Sequence, residues 1–472
     1  MMPTIPVEFL DRTSRHPDRI AMTHYAASGE VTPMSWKDWR DSSLAFAAAL
    51  AESAARDTGA VAILAANNFV WPVADLGTIL SGRTSVGIYP TSSSVQIEKM
   101  LADSAAGVLV TDDPAQLAVV LEMKERLPGL HVIVASCAAN DAGVIAWNEW
   151  LEIGRQANLA RPGLAESLIA TALEIDRDDP AIIIYTSGST GEPKGAVLSH
   201  GCVSASARCI AETLGLVESD TTLSFLPFSH AAERITGLYT RIHRGMETAL
   251  IEDAASLWDV ARSFRPTIFG GLPRYYEKLH RLAAAEGRTA MEILGGRVRL
   301  ATSGGAALPV PISEGLAGSG ITVLGAYGLS EHLCVAFNRP GDATFDTSGT
   351  AMPGTEIRLA AACDLDHETR ERVAQRWEIP KTYGDASEML SVVKPELVVV
   401  GTPPKTHYQY SLLALEHGAH LFCEKPFMTS LAEADEVLAK ARRAGKRVGG
   451  RGKYYQMPSE HALQRGGGED KG

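Results

Sequence analysis

Cysteine is sparse, and none of it is paired in a C-x-x-C spacing. The six cysteines, Cys137, Cys202, Cys209, Cys334, Cys363 and Cys423, are scattered over 472 residues. This excludes a clustered zinc site or a thioredoxin-type redox motif and fits a reducing compartment. Basic residues are also outnumbered: 44 Lys and Arg stand against 56 Asp and Glu, a formal net charge of -12. An acidic chain without basic runs is a poor candidate for sequence-independent nucleic-acid binding. Anionic small molecules stay open, because backbone dipoles hold phosphate without net positive charge. Long apolar runs are missing as well. The most apolar stretch, residues 59–80, is interrupted by Asn67, Asn68, Pro72 and Asp75, too polar for a membrane span. Residues 1–18 lack the basic-then-apolar order of a secretory leader. These absences predict a soluble, cytoplasmic protein with no stable membrane insertion.

Hydrophobic residues make up 45% and charged residues 21%, which places the chain among ordinary globular proteins and excludes a disordered chain, a collagen or a coiled coil. The length suggests roughly three domains. No internal repeat or long low-complexity segment is visible, and the Gly-rich end, residues 466–472, reads as a frayed tail. Trp36, Trp39, Leu44, Phe46 and Leu50 recur at helical spacing over residues 36–53. Short apolar runs at 60–65, 84–89, 106–110 and 131–135 read as buried strands, with a helix around 95–102 between two of them. Strands alternating with helices predict an α/β fold, a parallel sheet with helices on its faces.

The most informative segment is AIIIYTSGSTGEPKGAVLSH, residues 181–200. An apolar strand runs into Thr186, Ser187, Gly188, Ser189, Thr190 and Gly191, then Lys194 and Gly195. Glycines let several N–H groups turn toward one point, hydroxyls add donors and Lys194 adds a point charge, a combination suited to polyphosphate. The order is not that of G-x-x-x-x-G-K-[ST]. By composition alone the segment is as readily a flexible Ser/Gly turn.

The order of residues decides between the two. TSGSTGEPKG, with an apolar run and His200 after it, closely resembles the signature loop of the adenylate-forming (AMP-binding) superfamily, and further segments fall in that family's order. GIYPTSS (87–93) is similar to its early strand–turn. SFLPFSHAAER (224–234) and RPTIFGGLPRYYEK (265–278) resemble segments of its long-chain acyl-CoA synthetases. ATSGGAAL (301–308) is similar to the adenine-side loop, and GAYGLSE (325–331) to the Y-G-x-T-E motif with Ser330 for Thr. GTAMPGTEI (349–357) is similar to the family's next segment. The resemblance covers about residues 1–360. It implies ATP-dependent activation of a carboxylic acid, of the fatty class, to an acyl-adenylate, then transfer to coenzyme A or another thiol such as that of a carrier protein. Glu331 then matches the Mg²⁺-binding glutamate, and Lys194, Ser330 and Glu331 carry the chemistry. Gly304, Gly305, Ala306, Tyr327 and Gly328 match the nucleotide site, and His230, Gly270 and Gly271 the acyl site. Taken alone, Tyr327 reads as a core tyrosine and His230 as a structural histidine.

After residue 360 the family pattern stops. Its ribose-binding T-G-D, hinge and small C-terminal domain with a catalytic lysine are not found, so slow chemistry is expected. Residues 361–450 take another order: AACDLD, then TPPxxH at 402–407, then CEKP at 423–426. This resembles the nucleotide-binding half of the glucose–fructose oxidoreductase and inositol dehydrogenase family. That resemblance makes Asp364, Thr402, Glu424, Lys425 and Pro426 a remnant of a dinucleotide site. The G-x-G-x-x-G strand–helix unit that anchors pyrophosphate is not seen before residue 361, so NAD(P) has no main anchor. The expected architecture is an acyl-CoA synthetase-like domain (1–360), a partial Rossmann-like segment (361–450) and a flexible tail (451–472). The alternatives are a catalytically impaired nucleotide- or acyl-binding fusion and an NAD(P)-dependent oxidoreductase.

Overall fold

A computed structural model describes residues 3–137, 141, 143–187, 193–330, 332–345, 347–356, 358–424, 426–446 and 448–450. The chain divides into two compact units, the second beginning at Glu356.

The first unit is built on two sheets. In the seven-stranded sheet, the strands run Val144–Ala146, Val132–Ala135, Ala106–Thr111, Ala60–Leu64, Thr84–Gly87, Pro180–Ser187, Pro193–Ser199 in spatial order. The pairings from Val144–Ala146 across to Pro180–Ser187 are all parallel. The nine-stranded sheet has a parallel centre: Val323–Leu329, Leu300–Ser303, Ile268–Gly271, Thr221–Ser224, Glu247–Ile251 and Ile20–Tyr25. Antiparallel strands close both of its edges.

Strand alternation decides where the cores lie. Val61 and Ile63 of one sheet join Leu250, Leu300 and Leu324 of the other in a shared core. Their neighbours point the opposite way: Ala60, Ala62 and Leu64 into a second core, and Ala249, Ala301 and Val323 into a third. Successive side chains of a strand face opposite sides, so the centre of each sheet is sealed on both faces, as parallel sheets require.

The helix Trp36–Glu52 begins where the Ser35 hydroxyl accepts the Asp38 N–H at 3.1 Å and the Asp38 carboxylate accepts the Ser35 N–H at 3.2 Å. It buries Trp36, Trp39, Phe46 and Leu50, and the Trp39 indole donates to the Pro72 carbonyl at 3.0 Å. Asp75, an interruption of an apolar run in the sequence, lies wholly buried in the helix Val70–Leu80.

The second unit alternates short strands with the helices His367–Arg376, Ala386–Val393, Pro404–Glu416 and Leu431–Ala444. Ala362–Cys363 pairs in parallel with Thr382–Tyr383, and Leu397–Val400, His420–Cys423 and Val448–Gly450 form a separate parallel sheet. In a doubly wound fold of order 3-2-1-4-5-6, a first strand would lie between these two groups. Among the described residues no strand joins them.

Candidate functional site

Ligands of open parallel sheets bind beyond the carboxyl ends of the strands. In the nine-stranded sheet these ends carry several of the residues singled out by sequence. Gly271 pairs with Ser303, and Ser303 with Gly325, so Gly304–Ala306 and Ala326–Gly328 emerge side by side. Gly304 runs against Ala326, where a Cβ would meet the Ala326 Cβ at 3.5 Å. Gly328 crosses the Leu333 carbonyl so closely that a Cβ would lie 1.9 Å from the oxygen. Only glycine fits that crossing. Leu333 itself takes φ 64°, strain stored in the hairpin that carries the motif.

Tyr327 is 48% exposed, which removes it from the core and leaves its ring available to a ligand. Ser330 is half-buried; Glu331 lies outside the described residues.

In the segment 181–200, Thr186 lies near the end of the strand Pro180–Ser187, and its hydroxyl donates to the Lys194 carbonyl at 3.5 Å. Lys194 is exposed at the start of the return strand. The strand is tied down below by Tyr185, whose hydroxyl donates to Asp103 at 2.7 Å. Gly188, Ser189, Thr190 and Gly191, and the side chain of Ser187, lie outside the described residues.

Gly270 and Gly271 line a cavity of about 130 Å³ together with Thr302, Ser303 and Gly304. Most of its remaining wall is aliphatic: Ile210, Leu214, Leu216, Leu223, Leu226, Met246 and Ile268. His230 is not part of that wall. It stands edge-on to Tyr89, ring centroids 6.3 Å apart, and its Nδ1 accepts the Ala232 N–H at 3.1 Å. Burial lowers the His230 pKa, which favours the neutral acceptor form, and pushes Tyr89 up to about 12. The GIYPTSS and FSH segments therefore meet here.

The E-R of SFLPFSHAAER anchors two polar networks whose roles the sequence did not reveal. Arg234, wholly buried, pairs with Asp75 and donates from Nη2 to the Ser85 hydroxyl at 2.6 Å and from Nε to the Tyr239 hydroxyl at 3.1 Å. Tyr239 and Ser85 in turn donate to Asp75 at 2.8 and 2.6 Å. The Arg234 guanidinium also lies 4.8 Å from the Trp71 ring centroid. Burial works against its charge, but Asp75 and Tyr239 outweigh it and raise the pKa. Glu233 pairs with Arg241 at 3.1 Å. The only sequence signal for either network was a pair of charges set in an apolar segment.

In the second unit, Asp364 lies just past the strand Ala362–Cys363 and its carboxylate accepts the Asp366 N–H at 2.9 Å. Buried His407 reaches the Thr402 carbonyl at 2.6 Å and the Pro426 carbonyl at 2.8 Å, which ties the TPPxxH segment to Pro426. Glu424 directly succeeds the strand His420–Cys423; Lys425 lies outside the described residues.

Comparison with known proteins gives these sites their context. The profile "AMP-binding enzyme" matches residues 9–376, and "Oxidoreductase family, NAD-binding Rossmann fold" matches residues 320–450. The two overlap over 320–376, and there the structure places Val323–Leu329 in the nine-stranded sheet, paired with Leu300–Ser303. Long-chain-fatty-acid–CoA ligase FadD15 of Mycobacterium bovis is 28% identical over 348 residues, 64% of this chain and 56% of the relative. Long-chain-fatty-acid–CoA ligase ACSBG2 of Rattus norvegicus is 31% identical over 230 residues, 46% of this chain and 34% of the relative. The chain thus spans about half, or less, of the length of these curated relatives. Among solved structures, the anthranilate CoA ligase AuaEII superposes with a TM-score of 0.65 at 22% identity, covering 77% of this chain and 66% of that one. The N-terminal domain of FACL13 from Mycobacterium tuberculosis gives 0.59 at 21%, covering 74% and 83%. Among the described residues no helix is long and apolar enough to cross a membrane. The two-sheet fold, the glycine-lined strand ends and a profile match over most of the sequence lead to one assignment: the chain belongs to the AMP-binding enzyme family.

Proposed function

We propose that the protein activates a medium- or long-chain carboxylic acid with ATP and passes the acyl group to coenzyme A. The observation that carries this reading is the aliphatic cavity that meets the strand ends at Gly270, Gly271, Ser303 and Gly304, next to the strand that carries Tyr327 and Gly328. An acyl chain in the cavity would present its carboxylate at those ends. Attack of a carboxylate oxygen on the α-phosphorus of ATP forms the mixed anhydride and releases pyrophosphate. Attack of a thiolate on the acyl carbonyl then releases AMP. Charge builds on phosphate oxygens in the first step, so positioned donors supply the stabilisation. Lys194, the Thr186 hydroxyl and the Ser330 hydroxyl are the described residues we assign to that role. Family resemblance gives Glu331 the Mg²⁺, a hard cation suited to a carboxylate.

The test is pyrophosphate release with acetate, octanoate and palmitate, run beside NAD(P)H absorbance. Apolar burial contributes about 0.8 kcal/mol per CH₂, so the longer acids should exceed acetate by orders of magnitude in kcat/KM, with nicotinamide absorbance flat. Equal turnover of acetate and palmitate, or pyrophosphate release with none of the acids, refutes the reading.

A further inference from the structure

The cavity wall is not wholly apolar. Glu233, Gly237 and Arg241 recur at four-residue intervals along a π-helix, Glu233–Tyr239, that continues into the α-helix Thr240–Arg244. Such π-turns are rare and concentrate at functional sites. Here the turn brings an ion pair to the cavity: Arg241 Nη2 donates to Glu233 Oε1 at 3.1 Å and to the Leu223 carbonyl at 3.2 Å, and the Ser224 hydroxyl donates to the same Glu233 oxygen at 2.5 Å. Glu233 and Arg241 are 5% and 7% exposed, and both line the cavity. Gly237 makes room for them, since a Cβ there would fall 2.3 Å from Glu233 Oε1.

The pair leaves hydrogen-bonding capacity unused. Arg241 Nε and Nη1, and the hydroxyl of cavity-lining Thr222, are buried with no protein partner among the described residues. Buried donors left unpaired are costly, and a ligand oxygen that satisfies one is favoured accordingly. The sign of the charge discriminates further. Glu233 already neutralises Arg241, so a carboxylate placed here would bring a second buried negative charge beside Glu233, whereas a neutral oxygen adds none. Register fixes the depth. Thr222 pairs with Ile268, two residues before Gly270, so its hydroxyl belongs to the cavity's length and not to the strand ends where an acyl carboxylate would sit.

Resting on the acid-activating reading above, we infer that the Glu233–Gly237–Arg241 notch is a specificity determinant for acids with a neutral oxygen, hydroxyl or oxo, inside the acyl chain. An unsubstituted chain leaves the Arg241 donors unpaired, and a dicarboxylic acid is rejected by charge.

Calorimetric binding of decanoic acid, internal hydroxy- and oxodecanoic acids and decanedioic acid tests this without requiring turnover. The best internal hydroxy or oxo acid should bind roughly tenfold to a hundredfold tighter than decanoic acid, the range of one hydrogen bond to a charged group, with decanedioic acid weakest. The double variant Glu233→Gln/Arg241→Met, its fold checked by thermal melting, should bring the hydroxy and unsubstituted acids to parity. Gly237→Ala, which crowds the pair, should reduce the ratio and serves alone if the double variant does not fold. Equal binding of hydroxy- and unsubstituted acids by the wild type, or a preference that survives loss of the pair, overturns the inference. A preserved preference in a protein that releases no pyrophosphate overturns the proposed function and leaves the notch standing.

Discussion

The two parts of this chain use the same alternation of strands and helices with very different completeness. Before Thr355, the central parallel strands are sealed on both faces: every residue of Ala60–Leu64 and of Ala106–Thr111 is buried. After Glu356, the strand Leu397–Val400 leaves Leu397 52% and Val399 64% exposed, and among the described residues the hydrophobic cluster around Val400, Leu415, Leu421 and Val437 is small. Parallel strands normally need cover on both sides and neighbours on both edges. Local motifs are thus present in a unit where, among the described residues, no strand joins its two strand groups. His407 still bridges the Thr402 and Pro426 carbonyls, although no strand among the described residues carries a pyrophosphate loop for this unit. Motif fidelity and site completeness are separate properties, and the first does not establish the second.

The largest effect that would sharpen this contrast lies in the first unit's buried network. Arg234→Met removes the positive charge beside Asp75 while filling similar space, and leaves a wholly buried carboxylate uncompensated. The expected loss is about 3–5 kcal/mol of stability, read by urea unfolding with tryptophan fluorescence. A loss under about 1 kcal/mol would mean that the network is as dispensable as a surface pair.

Next comes Lys194→Ala. If Lys194 stabilises charge on the phosphates, the rate of pyrophosphate release should fall by about 10²–10³, and ATP affinity by calorimetry should weaken with it. An unchanged rate would remove Lys194 from the site.

Acid sensitivity should also sit in the first unit. Burial holds His200 at about 4, well below its ordinary 6.5, with Asp179 opposing. The unfolded chain therefore takes up this proton first as pH falls. The stabilisation is complete above about pH 6.5 and is lost progressively toward pH 4, at most about 3 kcal/mol for this group. Chemical denaturation at a series of pH values should show a shallower acid slope for His200→Gln, provided the variant melts cooperatively; an identical slope would assign the acid limb to other groups.

How much of the molecule is legible in its sequence depends on the range of the interactions. The helix Trp36–Glu52 and the strand Ala60–Leu64 are readable because their apolar spacing is local; the Ser35 cap appears only in the fold. The glycine-rich strand ends are readable because the motif fixes their order. Both family resemblances rest on contiguous residues, and both are matched by a family profile. Asp75, Ser85, Arg234 and Tyr239 cannot be assembled in the same way, because Asp75 and Tyr239 are 164 positions apart and nothing local pairs them. In sequence Asp75 is a polar break in an apolar run; in the fold it is the centre of the network. The Glu233–Gly237–Arg241 notch is hidden for another reason: its spacing suits any helix, and only the π-turn against Leu223 and Ser224 brings it to a cavity wall.

The smallest effect tests the comparison most directly, by making one change in a parallel strand of each unit. Val61 is 0% exposed, at the centre of a sheet with core on both faces; Val399 is 64% exposed. Valine and threonine have nearly the same shape, so the substitution leaves packing volume almost unchanged and adds a hydroxyl. At Val61 the hydroxyl enters the shared core that also holds Val73, Ala74 and Leu76, and burying it unpaired costs about 1–3 kcal/mol. At Val399 the hydroxyl meets water, β-branching is kept, and the change should stay within about 0.5 kcal/mol. Denaturant midpoints of the two single variants decide it, with hydrogen exchange reporting each unit separately, because a global midpoint tracks only the transition it sees. If Val399→Thr costs as much as Val61→Thr, the exposed face of Leu397–Val400 is covered in solution, and the second unit is more complete than its strands indicate.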